Sequence, residues 1–344
     1  MLSPTEYRGR FAPSPTGPLH FGSLVAAVGS YLDAKHHQGK WLVRIEDLDT
    51  PRTVKGAADE ILGTLEAYGL HWDESVIYQS QRTAAYKAAF QQLQNIGAVY
   101  PCSCSRKEIA DSALHGIDGV IYPRTCRDGM KSPSDKTTSH STKLQKSQQV
   151  AGYPQPSPVK GEGVIAAHAL AWRVRIDINP SPLVGEGPGE RGSFNDALQG
   201  HIMQDISTEV GDFVVKRADG LFAYQLGVVV DDAAQCITDV VRGADLLYST
   251  PRQIYLQWLL GFTTPTYMHL PVAVNAQGEK LSKQTLAQPV VKNNAVATLF
   301  DALAFLRQQP PAELRLGTTE EILAWAVANW QPSSLLNYRQ FTLG

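Results

Sequence analysis

The pattern of apolar and polar positions in the first hundred residues predicts a parallel α/β sheet. Strand patterns cover residues 7–11 and 40–45, the second of which (KWLVRI) is apolar enough to be buried. Helical periods of three and four lie between and after them, over residues 24–32, 54–69 and 81–95. Strands alternating with helices in this way are typical of a parallel sheet that helices cover on its faces.

Two segments in the middle of the chain have no periodic apolar pattern. Residues 129–168 are rich in Ser, Thr, Lys, Gln and Pro, and residues 179–192 read NPSPLVGEGPGERG. Such compositions bury too little apolar surface to offset the entropy of ordering the chain, so we expect surface loops that carry no chemistry. Residues 171–176 (AWRVRI) alternate like a strand, so the folded part resumes between the two loops.

The second half of the chain predicts further strands and then helices. Strand patterns separated by turn residues cover 213–216, 221–224, 228–232 and 237–241. Helices are expected over 250–260, about 293–308 and 319–330. Thr318 and Glu321 have the spacing of a capping box at the start of the last helix.

Composition excludes some classes of protein and leaves others open. The 344 residues are 43% hydrophobic with a net charge of −2, so a core can form and bulk charge gives no sign of a nucleic-acid partner. No apolar run has transmembrane length, and the start MLSPTEYRGR lacks the apolar region of a signal peptide. We therefore expect a cytoplasmic protein. Its four cysteines make no disulfide framework, and Cys236 is expected to be a small core residue.

A first chemical motif lies between Arg10 and Ser23, where the chain reads RFAPSPTGPLHFGS. A strand, a loop dense in Pro and Gly, and a helix start follow one another. That order presents backbone N–H groups and the positive end of a helix dipole to an anion. His20 can donate to a phosphate oxygen, and Gly22 lets a planar group lie close to the backbone.

A second motif, EKLSKQ at 279–284, follows Gly278 and places two lysines and a hydroxyl on one loop. Alone it is weak, because a Lys-rich loop is usually a solvated turn. Together, the two motifs resemble the signatures of class I aminoacyl-tRNA synthetases. With VRIEDLDTPR, DGLFAY, VVDD and VVRGADLL between them in order, the chain resembles the glutamyl-tRNA synthetase branch. A dinucleotide-binding unit with Glu46 on a ribose is the competing interpretation, but the GxGxxG spacing it needs is missing from this loop.

The resemblance implies a class I Rossmann-type parallel sheet with an inserted zinc-bearing domain of the acceptor-binding type and a C-terminal helical segment. The expected divisions are a first catalytic half over 1–97, the insertion over 98–202, the second catalytic half over 203–262, and the KLSK loop with C-terminal helices over 263–344. Only 60 residues follow Gln284, so we expect no anticodon-binding domain.

The same resemblance implies that the protein activates glutamate with ATP, with Mg²⁺ bridging the phosphate oxygens. His20, Lys280 and Lys283 would be catalytic. The implied ATP contacts are His20, Gly22, Ser23, Lys280, Ser282 and Lys283. The implied glutamate contacts are Arg10, Phe11, Ala12, Pro13, Ser14, Glu46, Tyr224 and Arg242. The residue chemistry agrees, because guanidinium groups fork onto carboxylates and Glu46 can accept from an α-ammonium. Alternatively, Arg10 and Arg242 are structural ion-pair partners of Glu46 or Asp231.

Three cysteines, Cys102, Cys104 and Cys126, lie within 25 residues and indicate a metal site, although reduced structural thiols remain an alternative. Zn²⁺ takes four ligands in a tetrahedron. From chemistry alone His115 is the more natural fourth ligand. The resemblance implies Tyr122 instead, through a Tyr-x3-Cys pair, and one structural zinc ion.

The predicted partners are ATP, L-glutamate and a tRNA, bound by a monomer. Because no anticodon-binding domain is expected, the chain resembles the shortened paralogues in this branch. Those paralogues transfer glutamate to queuosine in the anticodon loop of tRNA(Asp). Two alternatives stay open. One is a truncated glutamyl-tRNA synthetase that charges a tRNA 3′ end, and the other is a non-catalytic paralogue that binds nucleotide or RNA.

Overall fold

A computed structural model describes residues 6–112, 115–116, 119–129, 170–178, 192–280 and 288–342, with 111, 112, 115, 116 and 119 described by their backbone alone. The helices in these residues are α1 Phe21–His36, α2 Ala57–Ala67, α3 Thr83–Asn95, α4 Arg106–Ser112, α5 Tyr224–Ala234, α6 Thr250–Leu260, α7 Ala295–Phe305 and α8 Thr319–Ala328. The strands are β1 Arg8–Phe11, β2 Lys40–Ile45, β3 Ile77–Tyr78, β4 Val99–Cys102, β5 His115–Gly116, β6 Gly119–Val120, β7 Ala171–Val174, β8 Phe194–Asp196, β9 Gly200–Ile202, β10 Phe213–Lys216, β11 Asp239–Gly243, β12 Thr266–Leu270, β13 Val272–Val274 and β14 Gln340–Thr342.

Two sheets that adjoin at β1 and β11 form the centre of the fold. The first has the order β1-β2-β3, and the second has the order β11-β12-β8-β9. The pairs β1–β2, β2–β3, β11–β12 and β12–β8 are parallel. The backbone N–H of Thr238 donates to the Arg8 carbonyl at 3.0 Å, which brings the starts of β1 and β11 together. Strand order therefore reverses between these strands, and in such sheets ligands bind outside the carboxyl ends at that point.

Helices cover both faces of the central strands. On one face α1 packs against β1, β2 and β11 and also contacts α7 and α8. Its apolar stripe, which includes Leu24, Val28 and Leu32, is fully buried with Trp41 and Leu299. On the opposite face, Ile254 of α6 packs with Leu42 of β2, and Asp232 of α5 pairs with Arg44 of β2. Helix α3 packs on α5 and α6, and the buried side chains of these three helices belong to a second core. A site at the strand ends is thus held from both sides by packed helices.

A small antiparallel sheet of order β10-β7-β4 lies beside the second core. It brings Cys102, at the end of β4, next to the segment with Tyr122 and Cys126, and these side chains bury one another. Within the residues that the sequence divisions assigned to the insertion, β8 pairs with β12 of the central sheet and β9 pairs with β8 at its edge. The chain thus returns to the central sheet before residue 203.

Several elements form where the pattern predicts them. The strand over 40–45 is β2, and α3, α6, α7 and α8 fall within the predicted helical ranges. Thr318 and Glu321 form both halves of a capping box, because the Thr318 hydroxyl accepts from the Glu321 N–H and the Glu321 carboxylate accepts from the Thr318 N–H. No helix within the described ranges combines the length and apolar character that crossing a membrane requires.

The strand predicted over 228–232 is wrong, because these residues lie in the middle of α5. Every residue from Leu226 to Asp232 is buried, and a helix enclosed on all sides lacks the polar face that distinguishes it from a buried strand. The predicted strand over 221–224 reduces to a single bridge between Phe222 and Lys216, since Tyr224 already begins α5.

Cys236 was expected in the core but is exposed. It lies between α5 and β11 with a backbone φ of +52°, in a turn that reverses the chain. The loops predicted over 129–168 and 179–192 fall outside the described residues, apart from Gly129 and Gly192 at their ends.

Candidate active site

The candidate site lies at the carboxyl ends of β1, β2 and β11. Arg10 is near the end of β1, Glu46 follows β2, and Arg242 is near the end of β11. Tyr224 begins α5, and its hydroxyl is close enough to Arg242, Glu46 and Arg10 for their charges to act on its pKa. Burial, the largest effect, raises that pKa above its ordinary value. These side chains, four of the eight residues that the resemblance assigned to glutamate, therefore lie in one region of the fold.

The loop after β1 closes one side of this place. The Glu46 N–H donates to the Pro13 carbonyl at 2.9 Å, which ties the loop to the end of β2. Ser14 is exposed and Ala12 is half-buried, so both can be reached from outside. Phe11 is buried and stacks on Trp41 with ring centroids 6.3 Å apart, so its side chain belongs to the core.

Beneath the site, buried arginines and carboxylates alternate. Asp232 Oδ1 accepts from Arg10 Nε at 3.2 Å and from Arg44 Nη2 at 2.8 Å. Arg44 Nη2 also lies 3.3 Å from Glu46 Oε1. Arg10 therefore does have a structural ion pair, as the alternative interpretation expected, but its recorded partner is Asp232 rather than Glu46 or Asp231. The sequence analysis missed Arg44 and Asp232, although charged residues inside the apolar runs KWLVRI and VVVDD were a signal.

The pKa values of this cluster are set by burial and by the two arginines in opposition. For Asp232, burial raises the pKa, but the charges of Arg10 and Arg44 outweigh burial and hold it below its ordinary value. For Glu46, burial is the larger effect and its pKa is raised despite the same two arginines. Glu46 is thus the less fully compensated carboxylate, and an additional cation beside it would stabilise its charged form.

Asp231 anchors the cluster to α3 and the turn before it. Its carboxylate accepts from Arg82 Nε at 2.5 Å, from Tyr86 Oη at 2.7 Å and from Gln79 Nε2 at 2.8 Å. Adjacent residues of one helix thus serve different purposes, since Asp231 holds the scaffold and Asp232 holds the arginines below the site.

Arg242 is buried, and its guanidinium group is only partly satisfied. Nε donates to His269 Nε2 at 3.1 Å, and Nη2 donates to the Thr250 hydroxyl at 2.8 Å. Nη1 is buried and has no hydrogen-bond partner among the described residues. Among the described residues, the contacts of Arg242 include no ion pair with Glu46 or Asp231, which the alternative interpretation expected. A buried guanidinium with unused donors is suited to receiving a carboxylate.

His269 and Asp196 complete the surroundings of Arg242, and the sequence analysis missed both. His269 Nδ1 lies 2.6 Å from Asp196 Oδ2, and both side chains are fully buried. Burial, helped by the positive charge of Arg242, lowers the pKa of His269 to about 4 even though Asp196 opposes the shift. The imidazole is therefore neutral at neutral pH. The sequence offers a weak signal for it, a histidine in the otherwise apolar run YMHLP.

His20 is the N-cap residue of α1. Its Nδ1 accepts from the Ser23 N–H at 3.3 Å, and its Nε2 lies 3.0 Å from the Ser23 hydroxyl. Gly22 and Ser23 form the first turn of the helix and are half-buried. The motif thus sits at a helix N-terminus, as the sequence predicted, where backbone N–H groups attract anions.

The second motif begins beside the segment that follows β11. Lys280 is exposed and pairs with Asp245 at 2.5 Å, three residues beyond Arg242. Ser282 and Lys283 lie outside the described residues, which resume at Gln288. Pro289 forms a bridge with His20, and the Val290 N–H donates to the Leu19 carbonyl at 2.9 Å. The described residues on the two sides of this gap therefore lie in different places: Lys280 is beside the segment after β11, and Pro289 is beside His20.

The cysteines that the sequence singled out form a cluster that fits a tetrahedral metal ion. The Sγ atoms of Cys102, Cys104 and Cys126 lie within 4.8 Å of one another. The Tyr122 hydroxyl is 3.2 Å from Cys102 Sγ and 3.5 Å from Cys104 Sγ. Around tetrahedral Zn²⁺, sulfur atoms are about 3.8 Å apart and sulfur and oxygen about 3.5 Å apart. These separations agree, so the donor set fits zinc with Tyr122 as the fourth ligand. The His115 side chain lies outside the described part of the structure.

The surroundings act differently on two of the sulfurs: burial raises the pKa of the Cys104 thiol to about 11, whereas hydrogen bonds favour the thiolate of Cys126. Burial acts to raise the pKa of Cys126, but hydrogen bonds involving Tyr122 and Ser103 outweigh it and lower the pKa to about 7. Arg173 is buried, donates from Nε to Cys102 Sγ at 3.4 Å, and stacks 3.8 Å from the Tyr122 ring centroid. Its positive charge balances part of the negative charge of a thiolate cluster.

Comparison with known proteins identifies the family. The model for the catalytic domain of class I tRNA synthetases (E and Q) matches residues 6–152 and 187–316. The glutamyl-Q tRNA(Asp) synthetase of Dechloromonas aromatica (strain RCB) is 52% identical over 328 residues, which cover 95% of this chain and 94% of that protein. The chain belongs to the glutamyl-Q tRNA(Asp) synthetases, a branch of that class I family. A relative of the same name in Chromobacterium violaceum is 49% identical, with 96% of each chain covered.

Solved structures agree on the fold. Glutamate-tRNA synthetase from Elizabethkingia anophelis superposes with a TM-score of 0.67 at 21% identity, covering 98% of this chain and 68% of that one. A glutamate tRNA ligase from Elizabethkingia meningosepticum, crystallised with its amino acid, gives the same TM-score and identity and is covered to 67%. The predicted fold class and the resemblance to the glutamyl branch are both confirmed.

Proposed function

We propose that this protein activates glutamate with ATP and transfers the glutamyl group to queuosine in the anticodon loop of tRNA(Asp). The relatives that are about half identical over nearly their whole length carry a name that states this substrate. The site geometry supports the first step. The identity of the RNA rests on the relatives.

The observation that carries the activation step is the unsatisfied guanidinium of Arg242. Its Nη1 is buried without a partner among the described residues, while Nε and Nη2 are fixed by His269 and Thr250. An empty donor on a buried, oriented arginine is unfavourable unless an acceptor arrives, because the desolvated N–H groups have lost their water. A carboxylate of glutamate supplies that acceptor together with an opposite charge.

The other groups around the site suit the rest of the amino acid. Glu46, whose pKa is raised by burial, would regain a counter-charge from the substrate α-ammonium. The loop of Ala12 to Ser14 lies beside Glu46, because the Pro13 carbonyl accepts from the Glu46 N–H. Arg10 lies below them and already pairs with Asp232. Its role would therefore be to attract and orient the substrate carboxylate, not to neutralise it alone.

In the activation step an oxygen of the glutamate carboxylate attacks the α-phosphorus of ATP, and pyrophosphate leaves. The start of α1, with His20, Gly22 and Ser23, is placed to hold phosphate oxygens as charge develops on them. Lys280, Ser282 and Lys283 would neutralise charge on the departing pyrophosphate. Mg²⁺ bound together with ATP would neutralise part of the negative charge on the phosphates. The protein needs no covalent nucleophile, since positioning and charge stabilisation suffice.

In the transfer step a hydroxyl of the queuosine cyclopentene ring attacks the carbonyl carbon of glutamyl-adenylate. An ester forms, the bond to the phosphate oxygen breaks, AMP leaves, and the hydroxyl proton passes to a base or to solvent. Zinc held by Cys102, Cys104, Cys126 and Tyr122 would be structural, bracing the small sheet of β4, β7 and β10. Its site takes part in neither step.

The activation step is tested by ATP–pyrophosphate exchange without any RNA, using glutamate, glutamine and aspartate in parallel. We expect exchange with glutamate and little with the other two, since one lacks a charge and the other is shorter by a methylene. No exchange with any amino acid would favour the non-catalytic alternative. Equal exchange with glutamine would contradict the assignment of Arg242.

A further inference from the structure

Arg242, His269 and Asp196 form a continuous buried chain of hydrogen bonds across three parallel strands. Arg242 is on β11, His269 is on β12 and Asp196 ends β8, and the three strands are neighbours in the sheet. The register pairs Arg242 with His269 directly, and Tyr267, two residues before His269, with Asp196. The chain therefore depends on the sheet and not on a loop.

The direction of each hydrogen bond follows from the donors and acceptors present. The Arg242 guanidinium can only donate, so His269 Nε2, at 3.1 Å from Arg242 Nε, has to be an acceptor without a proton. The single proton of the neutral imidazole is then on Nδ1, from which it donates to Asp196 Oδ2 at 2.6 Å. The lowered pKa of His269, about 4, agrees with a neutral ring.

Asp196 is itself held in place by the backbone. Its Oδ1 accepts from the N–H groups of Leu198 at 3.0 Å and Gln199 at 2.9 Å. These bonds turn Oδ2 toward the imidazole. The carboxylate thereby selects the tautomer of His269, as a carboxylate beside a histidine commonly does.

We propose that Asp196 and His269 are positioning residues, which hold the Arg242 guanidinium so that its Nη1 points to a carboxylate of the substrate. This inference rests on the proposed activation of glutamate. His269 accepts from Nε, and the Thr250 hydroxyl accepts from Nη2 at 2.8 Å; these two acceptors lie 3.2 Å apart and hold the same edge of the guanidinium. With two nitrogens fixed in a planar group, the direction of the third is determined. Neither Asp196 nor His269 needs to contact the substrate.

The alternative is that His269 is a buried histidine that merely satisfies its neighbours and stabilises the fold. A pair of amide substitutions separates the two roles. In His269→Gln the side-chain amide reaches the position of Nε2, so its oxygen can still accept from Arg242. In His269→Asn the shorter amide reaches only the position of Nδ1, so Asp196 keeps a donor while Arg242 loses its acceptor.

The two variants are compared in RNA-independent exchange, with KM measured separately for glutamate and ATP, and their thermal unfolding is recorded. We expect His269→Asn to raise the KM for glutamate about tenfold or more, with the KM for ATP within about twofold of the wild type. His269→Gln should remain within about threefold for both substrates. Equal losses in the two variants, or a parallel rise in the KM for ATP, would overturn the positioning role.

The tautomer is measured on the wild-type protein with ¹⁵N-labelled histidine, using His269→Asn to assign the His269 signals. We expect a protonated Nδ1 and an unprotonated Nε2 at neutral pH. A proton on Nε2 in the wild type would overturn the proposal. This measurement needs no glutamate, so it tests the hydrogen-bond chain even if exchange shows that the proposed function is wrong.

Discussion

Replacing Arg242 by Gln removes the guanidinium on which the proposed recognition of glutamate depends. The size of the resulting loss in binding free energy follows from the structure. The substrate carboxylate would lose up to two charge-assisted hydrogen bonds from the buried Nη1, each worth about 1.5–3 kcal/mol. The glutamine amide restores a small part of this, so we expect a loss of about 3–5 kcal/mol in transition-state binding. That corresponds to a fall of about 150- to 5,000-fold in kcat/KM for glutamate.

The assay is glutamate-dependent ATP–pyrophosphate exchange, with kcat and KM determined for each substrate. Most of the loss should be in the KM for glutamate, since the carboxylate is charged before and during the reaction. Arg242→Lys should recover little, because an ammonium cannot reach His269, Thr250 and the substrate together. The matched control is Arg315→Gln, which removes an exposed arginine paired with Asp301. If Arg242→Gln stays within about threefold of the wild type, the assignment is refuted.

Three further predictions concern other parts of the molecule. Lys283→Ala should cut adenylate formation far more than glutamate affinity, because its charge partner develops in the transition state; a parallel rise in the glutamate Kd would contradict this. Metal analysis should find one zinc per chain, lost in Tyr122→Phe and retained in His115→Ala; the reverse would make histidine the ligand. Asp232→Asn should lower the free energy of unfolding at neutral pH by about 3 kcal/mol, by leaving Arg10 and Arg44 short of a counter-charge.

The last of these effects has a pH dependence whose sign follows from the lowered pKa of Asp232. A carboxylate with a lowered folded-state pKa contributes stability above its unfolded pKa of about 4, and loses it as the pH falls further through the folded-state value. The wild type and Asp232→Asn should therefore converge in urea unfolding experiments at acidic pH. A constant difference down to pH 2 would mean that Asp232 stabilises the fold by packing rather than by charge.

The sequence pattern predicted helices that bury one face, and it misassigned α5, whose central residues are buried on all sides. Residues 24–32 have an apolar stripe at helical spacing, and they form part of α1. The run from Val228 to Asp232 has no polar face, so its period could not distinguish the helix from a strand. Its two aspartates pair with arginines from several elements, and no local pattern announces partners so distant in sequence.

The same limit applies to the site. Arg10, Glu46 and Arg242 were predicted because their motifs are local, and the structure brings them together at the strand ends. Asp196 and His269 are 73 residues apart and meet only because β8 pairs with β12. A buried histidine in YMHLP carries no sign of its neighbour. Side chains that act through another residue are therefore found from geometry, whereas those within a motif can be found from the sequence.

The central claim is tested most directly by labelled glutamate with ATP and three RNAs: tRNA(Asp) with queuosine, tRNA(Asp) without it, and tRNA(Glu). The account predicts label on the queuosine-bearing tRNA(Asp) alone, and its loss in Arg242→Gln. Label on tRNA(Glu) would contradict the account and indicate a conventional synthetase that charges a 3′ end. Absence of label from all three RNAs, with exchange intact, would contradict the proposed acceptor while leaving the activation site in place.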